Sequence, residues 1–380
     1  MRILHVHDIP RFEGGVEQIL FDTARGLAKQ GWSQALLHSD DQKTDGRFLS
    51  AFGVTSSHRE IITQYRPQAI LMHKVADHER VNMCSRLART AHMVHDYDLV
   101  CPRRHKYFPL SKKVCTKPAG SACYQHLCCI QRAPNNKYLP VTLSGTAGVN
   151  TMLNASKTVR SYIVGSRFMQ EQLTMNGIEE DKINIVNPVP AALMSPRYIT
   201  MQKEPEILFV GQVIRGKGVD LLLKALAKVK GQWNATIVGT GNHLAKCRQL
   251  ASKLKISDRV VFTGRVDHEK LESYYTAARV VVVPSRWPEP FGMVGIEAMA
   301  RGRPVVAFDT GGISDWLDDR VTGLLVPAAN VAALAKALQH LIDEPEVAKQ
   351  YGQNAVGHVA ESFSHKNYLN QMMEKLESLR

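Results

Sequence analysis

Long apolar runs, a signal-peptide segment and low-complexity tracts are all missing from this 380-residue sequence. No apolar run approaches the ~20 residues that a membrane-spanning helix needs, so no such helix is predicted. The opening residues MRILHVHDIP lack an apolar export segment and predict a strand, which favours a cytoplasmic location. No short internal repeat occurs, and the composition is that of a globular protein.

Acidic residues are missing from one long stretch. From Leu99 to Gln170 there are eleven Lys or Arg and no Asp or Glu, in a chain of net charge +13. Such an excess predicts an anionic partner, and nucleic acid, anionic lipid and a phosphorylated acceptor all fit it. An idle basic surface is the remaining interpretation, because runs of charge are often only solvated.

Cysteine is scarce outside the segment 101–129, in which His105 and His126 also lie. The five cysteines of this segment are Cys101, Cys115, Cys123, Cys128 and Cys129. Disulfides are rare in cytosolic proteins, and the C-x₂-C pair that zinc sites usually carry is absent. A zinc site and reduced, packed thiols both stay open, and neither interpretation gives these cysteines a catalytic role.

The length suits two domains, and alternating strand and helix patterns predict an α/β fold with parallel sheets. We place the N-terminal domain at 1–188, with an irregular, basic, cysteine-rich insert at about 98–140. Clustered prolines predict an interdomain linker at about 188–203. A second α/β series over 204–363 is followed by a helix at 364–380.

The stretch 279–327 concentrates the candidate chemistry. Its β-branched run Val280–Val283 predicts a buried parallel strand, followed by a proline-held loop and a helix. Loops that follow such strands lie at the carboxyl edge of the sheet, where open α/β folds bind ligands. Glu289 in the loop and Glu297 in the helix would offer acceptors for sugar hydroxyls. We expect both carboxylates to line an open cleft, so that losing either leaves the melting temperature almost unchanged.

Short motifs follow one another in this half of the chain. They are Glu-Pro-Phe-Gly at 289–292, Glu-Ala at 297–298, Gly-Arg-Pro-Val-Val at 302–306, Gly-Gly at 311–312 and Gly-Leu-Leu-Val at 323–326. In order and spacing they resemble the donor-binding signature of retaining glycosyltransferases of the family-4 type. Gly-Gly-Val-Glu at 14–17 similarly resembles the family's N-terminal glycine loop, which approaches the donor pyrophosphate and the acceptor.

This resemblance implies the GT-B architecture, in which two Rossmann-like domains face each other across a cleft. The C-terminal domain would bind a nucleoside-diphosphate sugar, and the N-terminal domain a carbohydrate or lipid-linked acceptor. The implied reaction is retaining glycosyl transfer to a hydroxyl, with no cofactor and no divalent metal. Bacterial cell-surface polysaccharide, lipopolysaccharide or glycolipid synthesis at the inner face of the cell membrane is the expected setting. No nucleic acid is expected as a partner.

The resemblance also assigns roles to single residues. Glu289 would fix the transferred sugar, His95 would touch it, and Lys217 would neutralise the leaving diphosphate. Glu297 would accept hydrogen bonds from the ribose hydroxyls. The other donor-binding residues would be Gly15, Arg215, Gly264, Arg265, Phe291, Gly292 and Met293.

The sequence departs from the family at Gln212, which stands where family members usually carry an arginine. Arg215 is the candidate replacement for that cation. Three rival functions remain, namely a sugar-nucleotide epimerase, a phosphorylase of the same fold, and a basic nucleic-acid-binding module. The first two differ from a transferase in their products, and the third leaves the motif string unexplained.

Overall fold

The structure is a computed structural model that describes residues 1–39, 43–111, 113–132, 141–193, 195–202, 204–267 and 270–379. The chain forms two compact units. The N-terminal unit comprises Met1–Ala191 together with His365–Arg380, and the C-terminal unit comprises Ala192–Ser364. Each unit has its own parallel sheet and its own apolar core, which confirms the predicted α/β fold class.

The N-terminal unit is built on a seven-stranded sheet in the order β3-β2-β1-β4-β5-β8-β9. Its strands are β1 (Arg2–Val6), β2 (Ser33–Leu37), β3 (Val54–Ser56), β4 (Ala69–Met72), β5 (Thr90–Val94), β8 (Ser161–Val164) and β9 (Ile183–Ile185), and an antiparallel pair is made by β6 (Ile130–Arg132) and β7 (Val141–Leu143). Its helices include α1 (Gly15–Lys29), α2 (Gly46–Leu49), α3 (Ile61–Tyr65), α4 (His78–Leu87), α5 (Ser121–Gln125), α6 (Ala147–Ser156) and α7 (Arg167–Met175).

The order of these strands reverses between β1 and β4. The chain first runs outward from β1 to β3 and then returns to build the other half of the sheet from β4. All of these strand pairs are parallel, so the loops after β1 and β4 emerge at the same edge. We call this position the switch point, which in open α/β sheets is where ligands bind.

The insert predicted at about 98–140 contains α5, β6 and an isolated bridge between Tyr107 and Val114. Lys106 is buried there, and its ammonium donates to the carbonyl of Lys117 over 2.6 Å. Residues 112 and 133–140 of the insert lie outside the described residues.

The C-terminal unit has a six-stranded parallel sheet in the order β12-β11-β10-β13-β14-β15. Its strands are β10 (Glu206–Val210), β11 (Asn234–Val238), β12 (Val260–Gly264), β13 (Val280–Val283), β14 (Val305–Phe308) and β15 (Gly323–Val326). Its helices include α8 (Val219–Leu226), α9 (Leu244–Lys253), α10 (Leu271–Ala277), α11 (Met293–Met299), α12 (Val331–Asp343) and α13 (Pro345–Ser362). This order is that of a dinucleotide-binding sheet, and its switch point lies between β10 and β13.

Helix α14 (His365–Glu377) belongs to the N-terminal unit and packs against α1. The hydroxyls of Thr23 and Tyr368 are 2.6 Å apart, and Gly26 lets Leu369 approach the α1 backbone. A Cβ at Gly26 would lie 2.5 Å from a methyl group of that leucine. None of the described helices has both the length and the apolar composition needed to cross a bilayer.

Candidate functional site

Lys217 and Glu289 meet at the switch point of the C-terminal unit. Lys217 ends a 3₁₀ turn, Arg215–Lys217, in the loop after β10, and Glu289 lies in the loop after β13. The lysine Nζ is 2.8 Å from Oε1 and 2.9 Å from Oε2 of the carboxylate. Two residues predicted to act on the donor are therefore brought together, although 72 positions separate them in the chain.

Two further side chains hold the Glu289 carboxylate. The Ser285 hydroxyl donates to Oε1, and the Trp287 indole Nε1 donates to the same oxygen over 3.1 Å. The Trp287 ring also lies beneath Lys217, whose Nζ is 5.0 Å from the ring centroid, a cation–π distance. The expectation that Glu289 lines an open cleft is wrong, because these partners enclose it and leave it 4% exposed.

The loops after β10 and β13 touch through their backbones. Gly218 adopts φ +73°, and a Cβ at this position would lie 1.8 Å from the carbonyl oxygen of Pro284. The Gly216 carbonyl accepts a hydrogen bond of 2.8 Å from the amide of Arg286. This close approach requires glycine, and it fixes the separation of Lys217 and Glu289.

A buried ion pair supports the same turn from below. Arg286 is 8% exposed, and its guanidinium binds both carboxylate oxygens of Asp220 while donating to the Arg215 carbonyl over 2.8 Å. Burial alone would raise the pKa of Asp220, but the hydrogen bond and charge of Arg286 outweigh it and lower the pKa. The Arg215 side chain itself is exposed, as is Gln212. Of the two predicted cations, only Lys217 reaches Glu289.

Glu297 sits on α11 and is also buried, at 8% exposed. Its Oε2 accepts a hydrogen bond of 2.8 Å from the hydroxyl of Tyr275, which α10 supplies. Burial, and next the charge of Glu297, raise the pKa of Tyr275 well above its usual value. The open-cleft expectation is therefore wrong for Glu297 as well, since its carboxylate is tied to a core tyrosine.

The loop from Phe291 to Met293 continues directly into α11. The Phe291 ring is buried, and its centroid lies 6.0 Å from that of the Phe363 ring. The backbone carbonyl of Phe291 accepts a hydrogen bond of 2.6 Å from the Trp316 indole. Gly292 caps α11 with φ +96°, and Met293 is the first helical residue. The Phe291 side chain therefore serves packing, which leaves backbone groups as the means by which this loop could meet a ligand.

Gly264 and Arg265 lie at the end of β12, two strands from β10. The Gly264 carbonyl accepts a hydrogen bond of 2.8 Å from the amide of Gly239, while the Arg265 side chain is exposed. These two residues thus occupy the carboxyl edge of the same sheet as Lys217 and Glu289.

The remaining predicted residues, His95 and Gly15, belong to the N-terminal unit. His95 follows β5, and burial lowers its pKa to about 3, so the ring is neutral. Gly15 is the exposed first residue of α1. The start of that helix already holds an anion, because the Glu17 carboxylate accepts from the Gly14 amide over 2.8 Å.

The cysteines of the insert are free thiols. Cys101, Cys123 and Cys128 are buried, and burial raises the pKa of Cys128 to about 11. In the described part of the chain, no group of three or more His, Cys, Asp or Glu side chains is arranged to hold a metal ion.

Comparison with known proteins shows what the C-terminal unit is similar to. Residues 196–358 match the family model described as Glycosyl transferases group 1. The Alpha-D-kanosaminyltransferase of Streptomyces kanamyceticus is 31% identical over 167 residues, which is 43% of this chain and 43% of that protein. An uncharacterized glycosyltransferase of Haemophilus influenzae is 33% identical over 215 residues, 56% of this chain and 55% of its own length.

The domain that this family model describes matches most of the C-terminal unit. The matched segment contains Lys217, Glu289 and Glu297, and the predicted resemblance to glycosyltransferases is confirmed for this domain. The chain spans about half the length of the curated relatives that it matches.

Solved structures extend the likeness in fold to the whole chain. The Anabaena Alr3699/HepE structure in complex with UDP-glucose has a TM-score of 0.74 and 18% sequence identity, and each chain is covered in full. At this identity the likeness shows the fold alone, and it confirms the predicted GT-B fold class.

Four residues of the C-terminal unit escaped prediction, namely Asp220, Tyr275, Ser285 and Arg286. Each acts through a partner distant in the sequence or through a buried hydrogen bond, which periodicity does not reveal. Trp287 could have been suspected from the sequence. It is an aromatic residue in a proline-held loop at the carboxyl edge of the sheet, and an aromatic ring in such a place can receive a cation on its face.

Proposed function

We propose that this protein is a retaining glycosyltransferase that moves a sugar from a nucleoside diphosphate to an acceptor hydroxyl. The observation that carries the proposal is the Lys217–Glu289 pair at the switch point of the C-terminal unit, most of which the family model matches. A cation and an oriented carboxylate at that edge match the two ends of a sugar diphosphate. The retained stereochemistry rests on the family-4 resemblance.

In this proposal Lys217 turns from Glu289 to the donor diphosphate. Its side chain is flexible, and an ammonium neutralises charge that develops on a leaving phosphate. Ser285 and Trp287 stay bound to Oε1 of Glu289, so that Oε2 meets hydroxyls of the transferred sugar. Glu297 accepts hydrogen bonds from the ribose hydroxyls while it keeps the hydrogen bond from Tyr275.

The transfer breaks the bond between the anomeric carbon and the diphosphate oxygen. The acceptor oxygen forms the new bond on the same face of the sugar, and its proton leaves with the diphosphate. Lys217 stabilises the charge on that diphosphate, so no divalent metal is required.

Isothermal calorimetry with UDP, GDP and ADP in EDTA tests the donor site. We expect one nucleotide to bind, and Lys217→Met to weaken it, while Lys224→Met on α8 serves as the charge-matched control. The panel starts with UDP, because Alr3699/HepE is described in complex with UDP. If none of the three nucleotides binds, the donor-site assignment is wrong.

Turnover with the matching nucleotide sugar then separates the rival functions. A product whose anomeric configuration equals that of the donor, by NMR, supports retaining transfer. A free isomerised nucleotide sugar formed without acceptor would instead indicate an epimerase, and a sugar phosphate formed from inorganic phosphate would indicate a phosphorylase.

For the acceptor we propose a lipid-linked or anionic glycan at a membrane surface. The insert and the residues after it expose large apolar side chains, with Leu110 at 74% and Leu143 at 80% exposed. They lie within the stretch 99–170, which carries eleven cationic and no acidic residues. Apolar side chains among cations suit an anionic lipid surface, where each Lys or Arg adds on the order of 1 kcal/mol.

Vesicle co-sedimentation tests this surface. Binding should be stronger to anionic than to neutral vesicles, and salt should remove the difference. Leu143→Ser should weaken binding, whereas Val261→Ser, at a 58% exposed position of the C-terminal unit, should not. If Leu143→Ser and Val261→Ser bind vesicles equally well, the membrane assignment is wrong. It is also wrong if the wild-type protein binds neutral and anionic vesicles equally well.

A further inference from the structure

Three histidines form an unbroken row at the switch point of the N-terminal unit. His5 lies on β1, His73 follows β4, and His95 follows β5. His5 Nδ1 is 3.2 Å from His73 Nε2, and His73 Nδ1 is 3.0 Å from His95 Nε2. Neighbouring rings meet edge to edge and are nearly parallel, with interplanar angles of 20° and 15° and centroids 5.5 and 5.3 Å apart. The donor site does not use His5 or His73.

The far end of this row is anchored by an amide. The Gln34 Nε2 donates to the Trp32 carbonyl over 3.1 Å, so its Oε1 is the atom that faces His5, 2.8 Å from His5 Nε2. An amide oxygen can only accept a hydrogen bond, and therefore His5 must carry its proton on Nε2.

The direction of every later bond follows from that anchor. A neutral imidazole has one donor and one acceptor nitrogen, so His5 Nδ1 accepts and His73 Nε2 donates. By the same step His73 Nδ1 accepts, and His95 Nε2 donates. His95 is left with an unprotonated Nδ1, which is an acceptor. We call the row Gln34–His5–His73–His95 the histidine relay.

The relay keeps this direction because its rings are neutral. Burial lowers the pKa of His5 to about 4 and that of His95 to about 3, and it lowers the pKa of His73 well below the usual value. A charged ring would donate from both nitrogens and reverse or break the row.

His95 lines a cavity of about 270 Å³ in the N-terminal unit. The cavity wall also contains Lys74, Asp96, Arg104 and Ser144, and Lys74 and Asp96 form an ion pair of 3.0 Å. Within the described part of the chain, no side chain or backbone group hydrogen-bonds to His95 Nδ1. A wall whose charges are paired, with an imidazole acceptor and the Ser144 hydroxyl beside them, suits a neutral ligand that carries hydroxyl groups.

We propose that Gln34, His5 and His73 are positioning residues that hold His95 as a neutral Nδ1 acceptor for a ligand hydroxyl in this cavity. The ligand class, a sugar or other polyol, rests on the proposed transferase function. The tautomer of His95 follows from the relay alone and is present without ligand.

NMR of the ligand-free, ¹⁵N-histidine-labelled protein at pH 7.5 tests the relay, because imidazole nitrogens with and without a proton differ in chemical shift. The His95 signals are identified as those lost in His95→Gln. We expect His95 to carry its proton on Nε2 alone. A charged His95, or one protonated on Nδ1, would overturn the proposal even if no variant of Gln34, His5 or His73 folded.

Variants then separate positioning from simple burial. Gln34→Leu removes the anchoring acceptor, and His95 should populate both tautomers, whereas Gln34→Glu keeps an acceptor and should preserve the Nε2–H form. His92→Gln is the matched control, because His92 is equally buried beside His73 but lies outside the relay. If His95 stays wholly Nε2–H in Gln34→Leu, the relay does not position it.

Kinetics supply a second readout. Gln34→Leu should lower kcat/KM roughly tenfold, the factor that corresponds to ~1.4 kcal/mol, and leave the Kd of the free nucleotide unchanged. Transfer activity that matches wild type, together with mixed tautomers, would overturn the role of Nδ1 in ligand binding. A wild-type protein without transfer activity would instead refute the proposed function and leave the tautomer result standing.

Discussion

The two switch points share a topology and differ in chemistry. In the C-terminal unit the loops after the two central strands carry a charged pair, Lys217 and Glu289. In the N-terminal unit His5 near the end of β1 and His73 just after β4 are hydrogen-bonded imidazoles, which burial keeps neutral. The same edge of the same kind of sheet thus presents charge in one unit and oriented neutral dipoles in the other.

This difference teaches what each edge is suited to bind. The ammonium of the charged pair can turn to an incoming anion and form charge-assisted hydrogen bonds with it, which favours a diphosphate. Neutral rings with fixed tautomers cannot balance a charge, but they discriminate donors from acceptors, which favours hydroxyl groups. Topology places both sites, and only the side chains decide their ligands.

The largest expected effect is a loss of folding stability in the N-terminal unit at acidic pH. His5 and His92 have a pKa of about 4 in the folded state and about 6.5 when unfolded. Between those values the unfolded chain binds protons that the native unit excludes, so stability falls as pH drops from 6.5 and levels off near 4. Each such histidine should cost about 1.4 kcal/mol per pH unit in that window.

Hydrogen exchange followed by mass spectrometry from pH 7.5 to 4.5, corrected for intrinsic rates, measures this effect in each unit. Protection of β1, β4 and β5 should fall faster than protection of β10 and β13, which contain no histidine. His92→Gln should reduce the slope by about one histidine's share, and His340→Gln, at an exposed position, should not. Equal slopes in both sheets would contradict the comparison.

The second largest effect is expected when the charged pair of Lys217 and Glu289 loses its carboxylate. Glu289→Ala should lower kcat on the order of 100-fold, if its contact with the transferred sugar strengthens in the transition state. Because Glu289 is buried with Ser285 and Trp287, the melting temperature should also fall, contrary to the expectation from sequence. Steady-state kinetics and calorimetry measure both changes. A wild-type kcat with only a raised KM would remove Glu289 from the reacting centre.

The third effect separates the two carboxylates. Glu297→Ala should raise the donor KM about tenfold and change kcat less, since the ribose does not react. It also leaves the buried Tyr275 hydroxyl unpaired, which should cost ~1–3 kcal/mol of unfolding free energy. Glu297→Ala combined with Tyr275→Phe should recover part of that stability without recovering KM. Recovery of both would make Glu297 purely structural.

The smallest effect is expected when one positive charge is added at the switch point of the C-terminal unit. Gln212→Arg introduces the cation that the family resemblance implies at this position, and the position is exposed. An exposed ion pair contributes about 0.2–1 kcal/mol, so the nucleotide Kd should fall by a factor of about 1.4 to 5 at low salt. Gln64→Arg on α3 adds the same charge to the N-terminal unit and should leave Kd unchanged. A Kd unaffected by Gln212→Arg would place the diphosphate elsewhere.

The sequence predicted local elements well where apolar periodicity was strong. The strand Val280–Val283 and the helix that became α11 were both expected, because β-branched runs and spaced apolar residues reflect burial directly. The helices and strands of the insert could not be predicted in this way, because its basic and cysteine-rich sequence shows no apolar periodicity. Family resemblance, not periodicity, pointed to Lys217 and Glu289 together.

The environment of the site could not be predicted. Glu289 and Glu297 were expected in an open cleft, yet Trp287 and Tyr275 enclose them, and such enclosure depends on contacts across the fold. The histidine relay is invisible for the same reason, because His5, His73 and His95 become neighbours only when three strands align. Residues brought together by tertiary structure leave no local signal.

The packing of α14 on α1 has a consequence for synthesis on the ribosome. The face of α1 that receives Tyr368 and Leu369 is translated early, but its partner helix is translated only after the whole C-terminal unit. At ~5–20 residues per second, that interval lasts on the order of ten seconds or more. Throughout it the face of α1 around Thr23 and Gly26 lacks its partner helix, so the N-terminal unit completes its packing only after the C-terminal unit has been synthesised.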